Sequence, residues 1–231
     1  MSLAGTGAVA IWHDVDAGGR DEFYRWHGEE HMPERVGIPG FLRGRRYAAI
    51  EADLEFFNLY EAATADVVTG PDYLARLNSP TPWTVATVKH LKGVARSVCR
   101  VAASMGHAQG GLIATWRYDV PDERADGHRT VMAERFVPEI AGRRGVAGAH
   151  LLIADAAASA VETAERKARG EANRIPRWIL LIEGWGDDAP FRETCLEVSR
   201  DALSSERGVT GQAEFGLYRL QISRAKAAAA A

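Results

Sequence analysis

Between Trp26 and Arg35 the chain reads Trp-His-Gly-Glu-Glu-His-Met-Pro-Glu-Arg, with two imidazoles, His27 and His31, four residues apart and two carboxylates, Glu30 and Glu34, at the same spacing. On a helix, residues four apart stack on one face, so acids and imidazoles share a surface. An imidazole that titrates near neutrality, with a carboxylate to fix its tautomer, is equipment for proton transfer. His31 and His27 are therefore candidate acids, bases or ligand donors, with Glu30 and Glu34 beside them. A flanking carboxylate is expected to raise the pKa of His31. The structural alternative is that His31 buttresses the helix where Pro33 leaves a carbonyl free, while His27 is a satisfied packing residue. His27-x-x-Glu30-His31 also matches the inverted zincin pattern. That pattern needs a distal third ligand, and Gly28 and Pro33 make a poor rigid helix for it, so no metal is assigned.

Weaker candidates lie elsewhere. Trp12 and Tyr60 fall on expected strands and are assigned to a ligand cavity, together with Arg45 and Arg96. Arg43, Arg45 and Arg46 could hold a carboxylate or phenolate, although their acidic neighbours Glu51, Asp53 and Glu55 read more simply as a solvated, salt-bridged edge. No GxGxxG, P-loop or GxSxG motif is present, so no nucleotide site or serine nucleophile is indicated.

The elements that must position these residues come as a repeat. Ala8-Val-Ala-Ile-Trp-His13 and Leu112-Ile-Ala-Thr-Trp-Arg117 are apolar runs of strand length, and Trp12 and Trp116 lie 104 residues apart. Each is followed by a polar loop and a helical stretch carrying a proline, and Pro33 and Pro138 lie 105 apart. Taking 100° per residue, Phe23, Trp26, His27, Glu30, His31 and Glu34 share one helical face, with Asp21, Arg25 and Glu29 opposite. Strand pairs follow at 45–50 with 55–62 and at 150–154 with 177–185, the second pair being separated by an Ala- and charge-rich insertion, 155–176. A second helix and a last strand close each copy. The order β-α-β-β-α-β, twice, is the ferredoxin-like unit. Its boundaries are placed at 5–104 and 111–224, with 105–110 as the linker. The closing run Ala227–Ala231 is set apart from the fold.

One such unit leaves a sheet face bare, so two in one chain should pack sheet to sheet. The fold class is accordingly α+β, a pseudo-dimeric α/β barrel. At 231 residues, with 46% hydrophobic and 26% charged, the composition is globular and the chain is long enough to bury a core unaided. Twenty-eight Lys and Arg against 31 Asp and Glu give a net charge of -3, which offers nucleic acid or an anionic membrane no general attraction. Two cysteines outside any CxxC pair, and the lack of a signal-like or membrane-length apolar run, point to the cytoplasm.

The segment 26–35 followed by Ile38-Pro-Gly-Phe41 resembles the dimeric α/β-barrel superfamily and, within it, the EthD-like group. The resemblance covers nearly the whole chain at fold level and is sharp over residues 20–47. It implies a small-molecule enzyme or binder, such as an isomerase, a lyase or a cofactor-free monooxygenase, in a superfamily that also holds haem enzymes. The expected ligand is aromatic or polyketide-like, lying between the sheets and lined by Trp12 and Tyr60. The chemistry is expected to be metal-free proton transfer or cofactor-free oxidation, and no cofactor is assigned. The second copy has Arg135-Phe136 where Glu30-His31 stand, which confines a histidine site to the first half. Two alternatives compete: a non-catalytic scaffold, with a homo-oligomer allowed in either case, and an RNA-recognition-like module using the aromatics of Glu55-Phe-Phe-Asn-Leu-Tyr-Glu61. The second lacks the basic and glycine positions that such modules use.

Overall fold

In a computed structural model, which describes residues 3–226, eight strands close into one antiparallel barrel with helices outside it. The Ala227–Ala231 run lies outside the described residues. The first half contributes β1 (Gly7–Val15), α1 (Arg20–Trp26), α2 (Met32–Gly37), β2 (Phe41–Ala52), β3 (Phe56–Ala62), α3 (Ala65–Thr69), α4 (Pro71–Asn78), α5 (Pro82–Thr87) and β4 (Leu91–Gly106). The second contributes β5 (Leu112–Asp119), α6 (Asp122–Val131), α7 (Val137–Ala141), β6 (Val146–Ala154), α8 (Ala156–Ala160), α9 (Ala164–Arg169), β7 (Trp178–Gly184), α10 (Asp188–Ala202) and β8 (Thr210–Ala225). Around the barrel the strands run β4-β1-β3-β2 and then β8-β5-β7-β6.

The halves meet by strand pairing as well as by packing across the barrel. β4 and β8, at 16 residues each, are long enough to pair twice. β4 pairs with β1 through Leu91–Arg100 and with β6 through Cys99–Gly106, while β8 pairs with β5 and then with β2. Met105 and Gly106, read from their glycine-rich surroundings as part of the linker, are therefore strand, opposite Ala149 and Gly148. The pairing satisfies backbone groups that two separate sheets would leave open at their edges.

Alternate residues point into the barrel. Trp12, Tyr47, Phe57, Leu59, Ile113, Leu181 and Tyr218 fill it, with Trp12 stacked on Phe57 at 4.7 Å between centroids and its Nε1 donating to Thr115 at 3.3 Å. Trp116 faces the other way, among Met132, Phe136 and Leu180 beneath the second-half helices. The match of Trp12 to Trp116 is thus one residue out of register, and one residue in a strand exchanges the faces. A spacing of 105, that of Pro33 and Pro138, sets Trp12 against Arg117, which points inward with its guanidinium 5.2 Å from the Trp12 ring. On β3, every residue is buried, so Phe56, Phe57 and Tyr60 offer no open face for stacking bases.

Candidate functional site

α1 runs into a π-helical turn, His27–His31, before α2 begins. The Met32 N–H bonds the His27 carbonyl, five residues back, and Pro33, which has no N–H to give, follows directly. The irregularity expected at Pro33 is therefore a widened turn ahead of it. The extra residue keeps His27 and His31 on the buried face, their rings 5.6 Å apart. It also shifts the helical phase, so that Met32, Arg35 and Val36 are buried next. Glu30 and Glu34 move to the edge. Glu30 accepts from the hydroxyls of Thr81 (2.6 Å) and Thr84 (3.3 Å), and Glu34 pairs with Arg35 (2.9 Å) and Arg76 (2.6 Å).

Beneath this turn lies a pocket with about 50 Å³ of free space. Strand alternation aims Ile11 and His13 of β1, Asn58 and Tyr60 of β3, and Arg96 of β4 into it, while Tyr73 and Leu77 of α4 form one side. The other side comes from the second half: Glu165 and Arg169 on α9, within the 155–176 insertion, reach across to line it. Glu165 pairs there with Arg35. Gly44 on β2 makes room for Tyr60, since a Cβ there would stand 3.0 Å from its ring.

The polar contacts fix the proton on His13. His13 Nδ1 donates to the Asp14 carbonyl (3.1 Å), so its Nε2 accepts from the Asn58 amide (2.9 Å). The Tyr60 hydroxyl and His27 Nε2 share a hydrogen bond at 3.0 Å. His27 Nδ1, His31 Nδ1, Asn58 Oδ1 and Arg169 Nε are buried with no hydrogen-bond partner. The His31 ring packs on Trp26 at 4.2 Å, and the indole of Trp26 donates to Thr84 at 3.1 Å.

Burial holds all three imidazoles neutral. His13 falls to about 4, and His27 and His31 lie well below their usual value. Desolvation is the largest cause, and nearby cations, Arg46 for His27 and Arg35 for His31, push the same way. The expected upward shift of His31 is reversed, because the carboxylates meant to cause it are turned to Thr81, Thr84, Arg35 and Arg76. Among the described residues no three His, Cys, Asp or Glu side chains are grouped to hold a metal ion.

Of the sequence-predicted residues, His27, His31, Tyr60 and Arg96 come together here, with Glu30 and Glu34 at the rim. Trp12 and Arg45 do not. Trp12 and Tyr60 stand on opposite faces of the sheet, so they line no common cavity, and the space between the sheets around Trp12 is packed with side chains. Nor are Arg43, Arg45 and Arg46 a solvated edge: they are 6%, 0% and 7% exposed. Arg43 and Arg45 share Glu61, and Arg45 grips Glu183 at 2.7 and 3.0 Å inside the barrel. Burial opposes ionisation of Glu183, yet Arg45 and His150 hold its carboxyl down at about 2. Arg46 faces out, over the Tyr24 ring at 4.8 Å. His13, Arg35, Tyr73 and Arg169 escaped sequence reading. His13 was findable, as the strand residue two beyond Ile11, whereas Arg169 lies on an insertion with no periodic signal.

Positions 105 residues on carry different chemistry. Met132, Phe136 and Ile140 stand where His27, His31 and Arg35 stand, and a second π-helical turn spans Met132–Phe136. Strand register extends the match. Ile11 pairs with Asn58 and Arg96, and Trp116 with Leu180 and Phe215; Val9 pairs with Tyr60, and Ala114 with Ile182. Six polar residues of the first half thus face six apolar ones of the second.

No family model matches this sequence, and no curated protein matches it. Solved structures do match its fold. An anthrone oxidase-like protein aligns over 100% of this chain and 99% of its own, with TM-score 0.65 and 12% identity. A candidate monooxygenase from Lactobacillus acidophilus NCFM aligns over 95% and 96% (TM-score 0.59, 11% identity), and another from Fusobacterium nucleatum over 97% and 96% (0.59, 10%). The likeness is one of fold, a ferredoxin-like α+β barrel. The free space of about 50 Å³ compares with the roughly 300 Å³ or more of a typical small-molecule site, so neither a haem nor a fused-ring aromatic enters unless the lining moves. No helix among the described residues is long and apolar enough to cross a membrane.

Proposed function

We propose that this chain is a cytoplasmic small-molecule enzyme of the EthD-like type, acting on an aromatic or polyketide-like ligand by metal-free proton transfer at the pocket beneath the π-helical turn. One observation carries the reading: the same fold position is solid and apolar in the second half, but in the first it holds neutral imidazoles with unpartnered Nδ1 atoms. His31 is the acid–base group and His27, oriented by Tyr60, its neighbour. A neutral imidazole nitrogen takes a proton from an acidic C–H or O–H, and the arginines around the pocket stabilise the resulting anion. In the oxidative version dioxygen is the oxidant. Anthrone, deprotonated at its methylene carbon, then reacts with one dioxygen to give anthraquinone and one water. A ligand of that size exceeds the closed space, so α9 must give way to admit it. The reading also takes 5–104 and 111–224 as two duplicated ferredoxin-like units joined by 105–110, supported by the repeated strand order and by π-helical turns 105 residues apart.

The test is anthrone in air-saturated buffer with the wild-type chain and with His31→Phe, the residue the second half uses. The wild type is expected to bind anthrone and speed its oxidation, while His31→Phe melts normally and does neither. A His31→Phe chain as active as the wild type removes His31 from the site. If His31→Phe fails to fold, the histidine is a structural buttress.

A further inference from the structure

The charge around the pocket does not balance. Arg35 is neutralised twice, by Glu34 at 2.9 Å and by Glu165. Arg96 and Arg169 line the same space, and among the described residues neither has a carboxylate partner. Arg96 donates to the Tyr73 hydroxyl at 2.9 Å, and Arg169 to Asn173 and to the Glu171 carbonyl. Arg169 Nε is buried without an acceptor, and His27 Nδ1 is a second buried nitrogen without a partner. Arg96 and Arg169 are half-buried, and a guanidinium partly withdrawn from water is stabilised when an anion supplies both charge and lone pairs. Glu165 and Glu171 lie near enough to Arg169 to favour its charge, yet among the described residues neither guanidinium has a carboxylate within ion-pair distance, and the buried Arg169 Nε–H has nothing to donate to.

Resting on the reading that this pocket binds a small molecule, we propose that its ligand is an anion, bearing a carboxylate or an enolate-type oxygen held by Arg96 and Arg169 opposite His27 and His31. The guanidinium fork matches two oxygens of one planar group. The apolar remainder of the ligand lies against Ile11, Leu77 and Val94. Arg169 arrives on α9, so the segment that closes the pocket brings one of the two cations.

Calorimetric titration with acetate and benzoate against acetamide and benzamide tests this, because each pair shares a shape and differs in charge. Acetate is compact enough for the closed pocket, whereas benzoate requires α9 to move. The carboxylates are expected to bind roughly tenfold or more tightly than their amides. Arg96→Gln and Arg169→Gln should each weaken carboxylate binding by about tenfold and leave the amides unchanged, while Arg169→Lys, which keeps the charge, retains the preference. Diethyl pyrocarbonate, which acylates accessible neutral imidazoles, locates the ligand: peptide mapping should show His27 and His31 protected by the bound carboxylate. Amides that protect the histidines and bind as tightly as the carboxylates, or carboxylate affinity that survives both glutamine substitutions, overturn the anion assignment while the pocket reading stands. If neither member of either pair protects the histidines, the pocket reading falls and takes this proposal with it.

Discussion

Beneath the first helix the barrel wall carries His27, His31, Arg35, Asn58, Tyr60 and Arg96; beneath its counterpart it carries Met132, Phe136, Ile140, Leu180, Ile182 and Phe215. The second set packs into one continuous apolar cluster with Trp116 and Val137. Its one polar pair is fully satisfied: His128 meets the Tyr118 hydroxyl at 3.0 Å and the Arg207 carbonyl at 2.9 Å. The first set leaves buried nitrogens and an amide oxygen unpartnered around a small cavity. Both halves use the same strand order and the same π-helical turn, so the architecture does not require the polar residues. Groups that lower stability without serving the fold mark a place where some other demand is being met.

The sharpest way to break this contrast is to put a first-half residue into the second. Phe136→His removes apolar volume from a site 3% exposed and sets a polar ring among Met132, Val137 and Leu180, with the Arg135 guanidinium at 4.7 Å. A loss of about 2–4 kcal/mol is expected from the lost apolar packing and the desolvated imidazole together. Urea denaturation measures it. A loss below about 1 kcal/mol would show that the second-half interface tolerates the chemistry of the first and that the difference between the halves carries no meaning.

Acid should act on the buried imidazoles before ordinary carboxylates titrate, on three of them in the first half and on His128, also held down by burial, in the second. The folded pKa of His13 is depressed to about 4 from 6.5, chiefly by burial, and His27 and His31 are depressed too. The unfolded chain therefore binds more protons below pH 6.5, so the stability tied to these neutral histidines is complete above that pH and is lost as pH falls toward 4. Each fully deprotonated buried histidine contributes a slope of about 1.4 kcal/mol per pH unit once its unfolded counterpart is charged. Denaturation midpoints followed from neutrality to about pH 5, above the carboxylate range, should slope steeply in the wild type and less in His13→Gln. A flat profile would mean that the three rings are solvated in solution.

Much of the fold was legible because its signals are local. Apolar runs located β1 and β5, and the acid–imidazole string located the helix that forms the roof of the pocket. What failed turned on one-residue phase. Trp12 and Trp116 look equivalent by type, yet a shift of one position puts one inside the barrel and the other outside. The π-helical turn inserts a residue of phase after His27, which an even 100° projection cannot contain, and so Glu30 and Glu34 were placed on the buried face that Arg35 takes. Arg45 looked like part of a charged edge because its acidic neighbours in sequence are Glu51, Asp53 and Glu55, whereas its partners in space are Glu61 and Glu183. No local pattern records a pairing 138 residues away. Glu165 and Arg169 were invisible for the same reason: they serve a pocket in the other half.

That crossing of halves suggests the gentlest perturbation. α9 buries none of its own residues, so little apolar area holds it down. Its ties to the first half include the Glu165–Arg35 pair and the Ala164 N–H donated to Asn78 at 3.1 Å. Glu165→Gln weakens the first of these. Because Arg35 keeps Glu34, no cation is abandoned in the interior, and the expected loss of global stability is about 1 kcal/mol or less. The local effect should be larger than the global one, since a segment held by few contacts opens independently of the barrel. Diethyl pyrocarbonate should therefore modify His27 and His31 faster in Glu165→Gln than in the wild type, while His128, beneath the second-half helix and far from α9 in function, reacts at its original rate. Acceleration at all three histidines would mean that the whole fold had loosened. No acceleration at any would mean that α9 is fixed by its remaining contacts, and that ligands enter the pocket by another route.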